Sequence, residues 1–213
     1  MTTAILLASY TNAQTSFAIR AGVNWQNING EEQDGTKLDY KMATKFHVGL
    51  QADIPVATDF YFQPGLIFTT KGARLEETIV GENFKVNINI AYIDIPLSLV
   101  YKPEVGAGRI ILGFGPYVGI GVGGKQKIEF GAQKDEEKIN FTNDVKPVDP
   151  DNVTYYKRID GGANVFVGYE FTKNLFLQLN TQLGLVNIQP KDEGQDDGKA
   201  KNTGFGISLG YRF

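Results

Sequence analysis

Apolar and polar residues alternate with a period of two along most of this chain, the spacing that sends successive side chains of a strand to opposite faces. Eight such segments can be read. The first sets Phe17, Ile19, Ala21, Val23 and Trp25 against Arg20, Gly22, Asn24 and Gln26. The second sets Phe46, Val48, Leu50, Ala52 and Ile54 against Lys45, His47, Gly49, Gln51 and Asp53. In the third, Phe60, Phe62, Leu66 and Phe68 oppose Tyr61, Gln63, Gly65 and Thr69. The fourth, residues 86–101, changes phase midway: Val86, Ile88 and Ile90 precede Ile93, Ile95, Leu97 and Leu99, and a bulge near Ala91-Tyr92 would account for the shift. The fifth alternates Ile110, Leu112, Phe114, Val118, Ile120 and Val122 with glycines and Tyr117. The sixth places Ile159, Ala163, Val165, Val167, Tyr169 and Phe171 opposite Arg158, Asp160, Asn164 and Glu170. The seventh sets five leucines, Leu175 to Leu185, against Gln178, Asn180 and Gln182, and the last sets Phe205, Ile207, Leu209, Tyr211 and Phe213 against Gly204, Ser208 and Arg212.

The connections alternate as well. Residues 55–59, 102–108 and 172–174 are short; residues 29–43, 71–85, 124–157 and 189–202 are longer and charged. Short turns at one end and long loops at the other are the pattern of a barrel crossing an outer membrane, and a soluble sandwich has no reason to sort its loops this way. The polar face carries Gln, Asn, Arg, Asp and Gly, side chains that fill a small closed barrel, while the apolar face is nearly free of charge. A soluble ligand-binding barrel would reverse that arrangement. The expected fold is therefore all-β: a closed antiparallel up-and-down transmembrane β-barrel of about eight strands, spanning residues 15–213. Residues 125–130 and 139–141 are able to extend or pair above it, giving ten strands. Aromatics gather at the segment ends, with Phe17, Phe60, Tyr101, Phe171, Tyr211 and Phe213 at the short-turn side and Trp25, Phe46 and Phe68 at the other, as two interfacial girdles require.

Composition narrows this further. The 213 residues carry 21 Lys+Arg against 24 Asp+Glu, which leaves no electrostatic footprint for a nucleic-acid partner. The absence of cysteine removes thiol catalysis and thiolate metal sites and suits an oxidising compartment. No apolar run reaches the ~18 residues of a membrane-crossing helix, which does not bear on crossing by strands. Residues 1–14 read as a signal-peptide remnant: Ala4-Ile5-Leu6-Leu7-Ala8 is a short apolar core, and Thr11-Asn12-Ala13 precedes Gln14 like a cleavage site. The basic leading region is missing, and a frayed first strand is the alternative.

Several local patterns sit on these strands: Gly22-Val23-Asn24 in the first, Ile93-Asp94-Ile95-Pro96-Leu97 in the fourth, Gly115-Pro116-Tyr117 in the fifth and Gly168-Tyr169-Glu170-Phe171 in the sixth. In this order the chain resembles the small bacterial outer-membrane barrels of the porin-family, PorT-like kind. The resemblance implies a fold and a location in the outer membrane, with outer-membrane lipids as its surroundings. It also likens the terminal Gly210-Tyr211-Arg212-Phe213 to the aromatic signal read by the barrel-assembly machinery, with Phe213 as its last residue. The secretion role suggested for PorT has no residue here to carry it over.

Candidate chemistry is sparse. Gly119, Gly121 and Gly124 formally satisfy G-x-G-x-x-G, but a dinucleotide fingerprint needs a helix to start there, and Lys125-Gln126-Lys127-Ile128-Glu129 reads as strand or loop. His47 is the only histidine; a lipid-hydrolysing triad would need it at the lipid face, whereas its phase turns it into the lumen. The acidic stretches Asp149-Pro150-Asp151-Asn152 and Asp192-Glu193…Asp196-Asp197 lack the spacing of a calcium loop and read as solvated charge. The sequons at Asn140 and Asn152 carry no information in a bacterial protein. No catalytic residue, cofactor or metal site is expected; a lipid- or lipopolysaccharide-modifying enzyme and a soluble lipocalin-like barrel remain the alternatives.

The inward phases do supply charge: the cations Arg20, Lys45, Arg158 and Arg212, and the anions Asp53, Asp94, Asp160 and Glu170. Lone charges in a lumen walled off from bulk water are costly, so equal numbers point to a paired network. Counting from the short-turn end puts Arg20, Arg212, Asp53 and Glu170 low and Lys45, Arg158, Asp94 and Asp160 higher, with Asp94 expected to meet Lys45 or an arginine. With so filled an interior, conduction is expected to be poor, and the expected role is structural, adhesive, accessory or that of a weak pore.

Overall fold

The computed structural model describes residues 14–31, 35–37, 39–79, 81–145, 153–171, 174–192 and 198–213. Residues 1–13, most of the expected signal remnant, lie outside these, as do Asp149 to Asn152 and Glu193 to Asp197 of the acidic stretches.

The strands in chain order are β1 (Ser16–Glu31), β2 (Ala43–Ala57), β3 (Phe60–Lys71), β4 (Arg74–Ile79), β5 (Glu82–Tyr101), β6 (Glu104–Val105), β7 (Gly108–Phe130), β8 (Gln133–Phe141), β9 (Asp144–Val145), β10 (Thr154–Tyr156), β11 (Ile159–Glu170), β12 (Leu175–Gly184), β13 (Lys191–Asp192) and β14 (Lys199–Arg212). Eight of them form the wall: β1, β2, β3, β5, β7, β11, β12 and β14 each pair antiparallel with the next. The ring closes where β14 returns to β1, from Ala18 opposite Arg212 to Glu31 opposite Lys199. Below that register Phe213 N–H still donates to Phe17 O, at 2.9 Å. The short turns need left-handed backbone, and Asp59 (φ 60°) and Asn174 (φ 70°) supply it with side chains that tolerate that conformation.

Outward positions of the wall form an apolar belt. On β7, Leu112, Phe114, Val118, Ile120 and Val122 are all exposed, as are Ile95, Leu97, Leu99 and Tyr101 on β5. A strand needs about 10 residues to cross a bilayer at a tilt, and the β7 run from Leu112 to Val122 meets that. Aromatic pairs mark both edges: Phe60 stacks on Tyr101 (4.7 Å between ring centroids) and Tyr169 meets Phe171 (5.0 Å) at the short-turn end, while Trp25 stacks on Phe205 (5.3 Å) and Phe46 meets Phe68 (5.9 Å) at the other.

Above the belt the barrel continues, and here the structure departs from the loops expected there. Residues 71–85 include β4, hydrogen-bonded to β5, and residues 124–157 include the upper half of β7, then β8 and β10. The extensions at residues 125–130 and 139–141 do pair above the membrane as expected, β7 with β8 and β8 with β10.

The phase change on β5 has a different cause from the one expected. The β5–β7 register does shift between Ala91 and Tyr92, but Ala91 faces Gly123 and Tyr92 faces Gly121, so the unmatched residue is Val122 on β7. On β5 the inward positions never change phase: Val86, Ile88, Ile90, Tyr92, Asp94, Ser98 and Val100 are all buried. What changes is the surroundings outside. Within the belt the outside is lipid and the inside is polar; above it the outside is water, and the inside becomes an ordinary apolar core of Ile28, Val86, Ile88, Ile90, Tyr92, Ile139 and Ile188. Full burial of each large side chain there contributes roughly 1.5–3 kcal/mol. A second, smaller apolar cluster (Ala18, Val100, Ile111, Phe166 and Phe176) fills the barrel near its lower end. Its two rings lie over Gly113 and Gly210, where a Cβ would overlap them.

The G-x-G-x-x-G stretch stays within β7. Gly121 faces the Phe141 ring and Gly119 faces Asp94, so these glycines make room for inward side chains.

Candidate functional site

Most of the buried charges in the lumen fall into two groups, one at the short-turn end beside and below the second apolar cluster and one directly beneath the upper core. The lower group centres on Asp53 of β2, which is 1 % exposed. Its carboxylate accepts from Gln63 Nε2 (2.6 Å) and Lys102 Nζ (2.5 Å), and the Arg212 guanidinium lies 2.9 Å away. Arg212 also pairs with Glu170. The Lys102 ammonium sits 5.1 Å above the Tyr61 ring, which supplements its ion pair.

The upper group centres on Lys71, the last residue of β3. Its fully buried ammonium lies 2.8 Å from Asp94 Oδ2 and 2.8 Å from Asp160 Oδ2. The Tyr117 and Tyr92 rings flank it at 4.4 and 5.0 Å. Asp160 also accepts from Asn202 Nδ2 (3.1 Å), Tyr117 Oη (3.3 Å) and the Gly161 backbone N–H (2.8 Å), and Asp94 accepts from Gln182 Nε2 (2.9 Å). One cation is thus held between two acids from β5 and β11, under the apolar core. This closes the lumen at the level where its walls turn from polar to apolar.

Five of the eight expected charges therefore meet as ion pairs: Asp53, Glu170 and Arg212 below, Asp94 and Asp160 above. The partner of Asp94 is Lys71, neither Lys45 nor an arginine. Lys45 instead donates to the Ile88 carbonyl (2.9 Å) and to Asn87 Oδ1 (3.3 Å). Arg158 is not inward: it precedes β11, its carbonyl accepts from Gly121 N–H at 2.7 Å, and its exposed guanidinium lies 5.4 Å over the Phe141 ring. Arg20 stands at mid-height rather than low, lining the polar voids with Asp94, Gln51 and Gln178, and makes no ion pair among the described residues.

Lys71 and Lys102 each lie just past the end of an alternating segment, where the pattern alone does not mark them as lumen charges. The signal was nonetheless present: Lys71 continues the inward phase of Gln63 and Thr69, and Lys102 that of Ser98 and Val100.

His47 lies between the groups, 4 % exposed. Its Nδ1 lies 2.7 Å from Asn24 Oδ1 and its Nε2 lies 2.7 Å from Ser208 Oγ, while Asn24 Nδ2 donates to Thr69 Oγ1 (3.1 Å). Ser, His and a side chain orienting the imidazole is the composition of a hydrolytic triad. Ser208 is fully buried inside the wall, however, facing away from lipid. The arrangement ties β1, β2, β3 and β14 together through satisfied polar groups. Among the described residues no group of His, Asp and Glu is arranged to hold a metal ion.

An eight-stranded wall with a lipid-facing belt, aromatic edges and a side-chain-filled interior defines a small transmembrane β-barrel. The chain belongs to the outer membrane protein beta-barrel domain family, whose model matches residues 12–189, and its place is the bacterial outer membrane. No curated protein matches it. Among solved structures it is similar to Ail, the attachment invasion locus protein of Yersinia pestis (15 % identity, 94 % of this chain, 99 % of that one, TM-score 0.45). It is also similar to the outer membrane protein OprG from Pseudomonas aeruginosa (14 %, 93 % and 95 %, 0.44) and to Neisserial surface protein A (13 %, 94 % and 99 %, 0.43).

Proposed function

We propose that this outer-membrane barrel is a sealed, non-catalytic scaffold that displays an ordered sheet outside the cell, in a structural, adhesive or accessory role, and not a conduit. The observation that carries this reading is the Lys71–Asp94–Asp160 group, lying across the lumen directly beneath a packed apolar core. An ion following the lumen would have to displace a doubly paired ammonium and then cross a packed apolar core. In planar bilayers the pure protein gives no stable conductance steps; large steady porin-like steps would overturn the reading. The lipid-modifying alternative has no observation in its favour, because the one Ser–His pair faces away from lipid.

The finer likeness to PorT-like barrels rests on the strand motifs around Gly22, Asp94, Gly115 and Tyr169. The barrel-assembly machinery is the proposed partner of the C-terminal strand through Phe213, which is 66 % exposed and available at the barrel's lower edge. Phe213→Ala is expected to reduce the folded fraction assembled in cells severalfold without altering the unfolding temperature of the protein that does assemble. An undiminished assembled fraction would remove Phe213 from that role.

A further inference from the structure

The belt on β7 ends at Val122, and Lys125 follows three residues on, about 10 Å further along the strand at ~3.3 Å per residue. With Ile128 turned into the apolar core, Lys125 and Lys127 point outward, their side chains 63 % and 62 % exposed. On the neighbouring strand Ile139 is buried and Lys138 therefore also points outward.

These residues form rows across the sheet. The lowest row, closest to lipid, is Asn89, Lys125 and Lys138, with Lys125 directly opposite Lys138. The next is Arg74, Asn87, Lys127 and Glu136. The third, Glu76, Lys85, Glu129 and Lys134, is balanced. Charge is thus graded, cationic next to the membrane and neutral away from it, on a chain whose formal net charge is −3.

Like charges set directly opposite on one face of a sheet destabilise it. Glu136 offsets part of the cost: it accepts from Lys125 at 2.5 Å and lies 3.7 Å from Lys127, and these contacts hold its carboxyl below the usual carboxylate range. Lys138 has no ion-pair partner among the described residues. An anion arriving from the membrane side would meet two ammonium groups at once. Lysine stems are long enough to lie along the apolar wall while the charged ends seek the headgroup layer.

We infer that Lys125 and Lys138, backed by Lys127 and Arg74, form a binding site for the phosphate-bearing headgroups of outer-leaflet lipid. The charge gradient and the continuity of this row with the lipid-facing belt select that occupant over a soluble partner, which would find no reason for the cations to crowd the membrane edge.

The test uses the full chain folded in uncharged detergent, titrated with bisphosphorylated lipid A and with the same lipid stripped of its phosphates. The phosphorylated form binds at least tenfold more tightly, with an advantage that shrinks as salt is raised. Lys125→Ser/Lys138→Ser together abolish that advantage, while Lys134→Ser in the balanced row leaves it unchanged. Heat-modifiable gel mobility verifies that each variant is folded, and bilayer conductance, which tests the sealed-scaffold reading, is independent of this result. Equal binding of the two lipids, retention of the advantage in the double variant, or full displacement of lipid A by inorganic phosphate at equal concentration would each overturn the proposal.

Discussion

Lys71→Met is expected to lower the unfolding temperature of the barrel more than any other single substitution in its lumen. The methionine fills similar volume, but Asp94 and Asp160 then face one another across the space the ammonium occupied, both Oδ2 atoms having been 2.8 Å from it. Removing one partner of a buried ion pair costs about 3–5 kcal/mol, because the remaining charge is left without compensation. Asp94→Asn acts in the same direction with a smaller effect, on the order of 1–3 kcal/mol, since Lys71 keeps Asp160 and the amide preserves the shape. The triple change Lys71→Met/Asp94→Asn/Asp160→Asn recovers much of the loss, as neutral replacements of whole buried networks often do. The measurement is the temperature at which the folded band disappears in heat-modifiable electrophoresis. Unchanged temperatures for both single variants would show that the charges do not act as a network.

Ile90→Asp is expected to unravel the part of the barrel above the membrane while the part within it stays closed. Ile90 is fully buried in the upper core, against Ile88, Tyr92 and Ile139. Truncating such a side chain to Ala costs about 2–5 kcal/mol, and an ionised carboxylate without a partner adds its desolvation. Limited proteolysis of intact proteoliposomes should cleave residues 82–91 and 123–141 in the variant and spare them in the parent. Asn89→Asp, one position away and turned outward, serves as the control and should behave as the parent. If Ile90→Asp were as resistant as Asn89→Asp, the upper sheet would not depend on an inward apolar core. Leu97→Asp probes the opposite arrangement, since Leu97 is 42 % exposed on the lipid-facing side of the same strand; its cost falls on the membrane-spanning wall.

On β5 the apolar residues change phase at Ala91-Tyr92, which by itself suggests a bulge in that strand, whereas the unmatched residue is Val122 on β7. β5 is continuous there, and it is the surroundings that reverse. Hydrophobic patterning reports which face avoids water, and it records the same signal whether that face meets lipid or a core. Lys71 and Lys102 fall outside the alternating segments for a related reason. A lysine at the end of an alternating run is ordinarily where a strand leaves for solvent, because lysine is seldom fully buried without a partner.

The alternation by itself determined the eight-stranded wall, the lipid-facing belt with its aromatic edges and the inward direction of Asp53, Asp94, Asp160, Glu170 and Arg212. Each of these follows from the period-two geometry of a strand and the length needed to cross a bilayer, both local properties. Which charges meet was decided only by the closed ring. Lys71 and Asp160 are 89 positions apart in sequence, and Arg212 and Asp53 lie on strands separated by β1. Their heights in the lumen depend on the tilt and stagger that closure imposes on all eight strands together, so no single segment contains the information that brings them into contact.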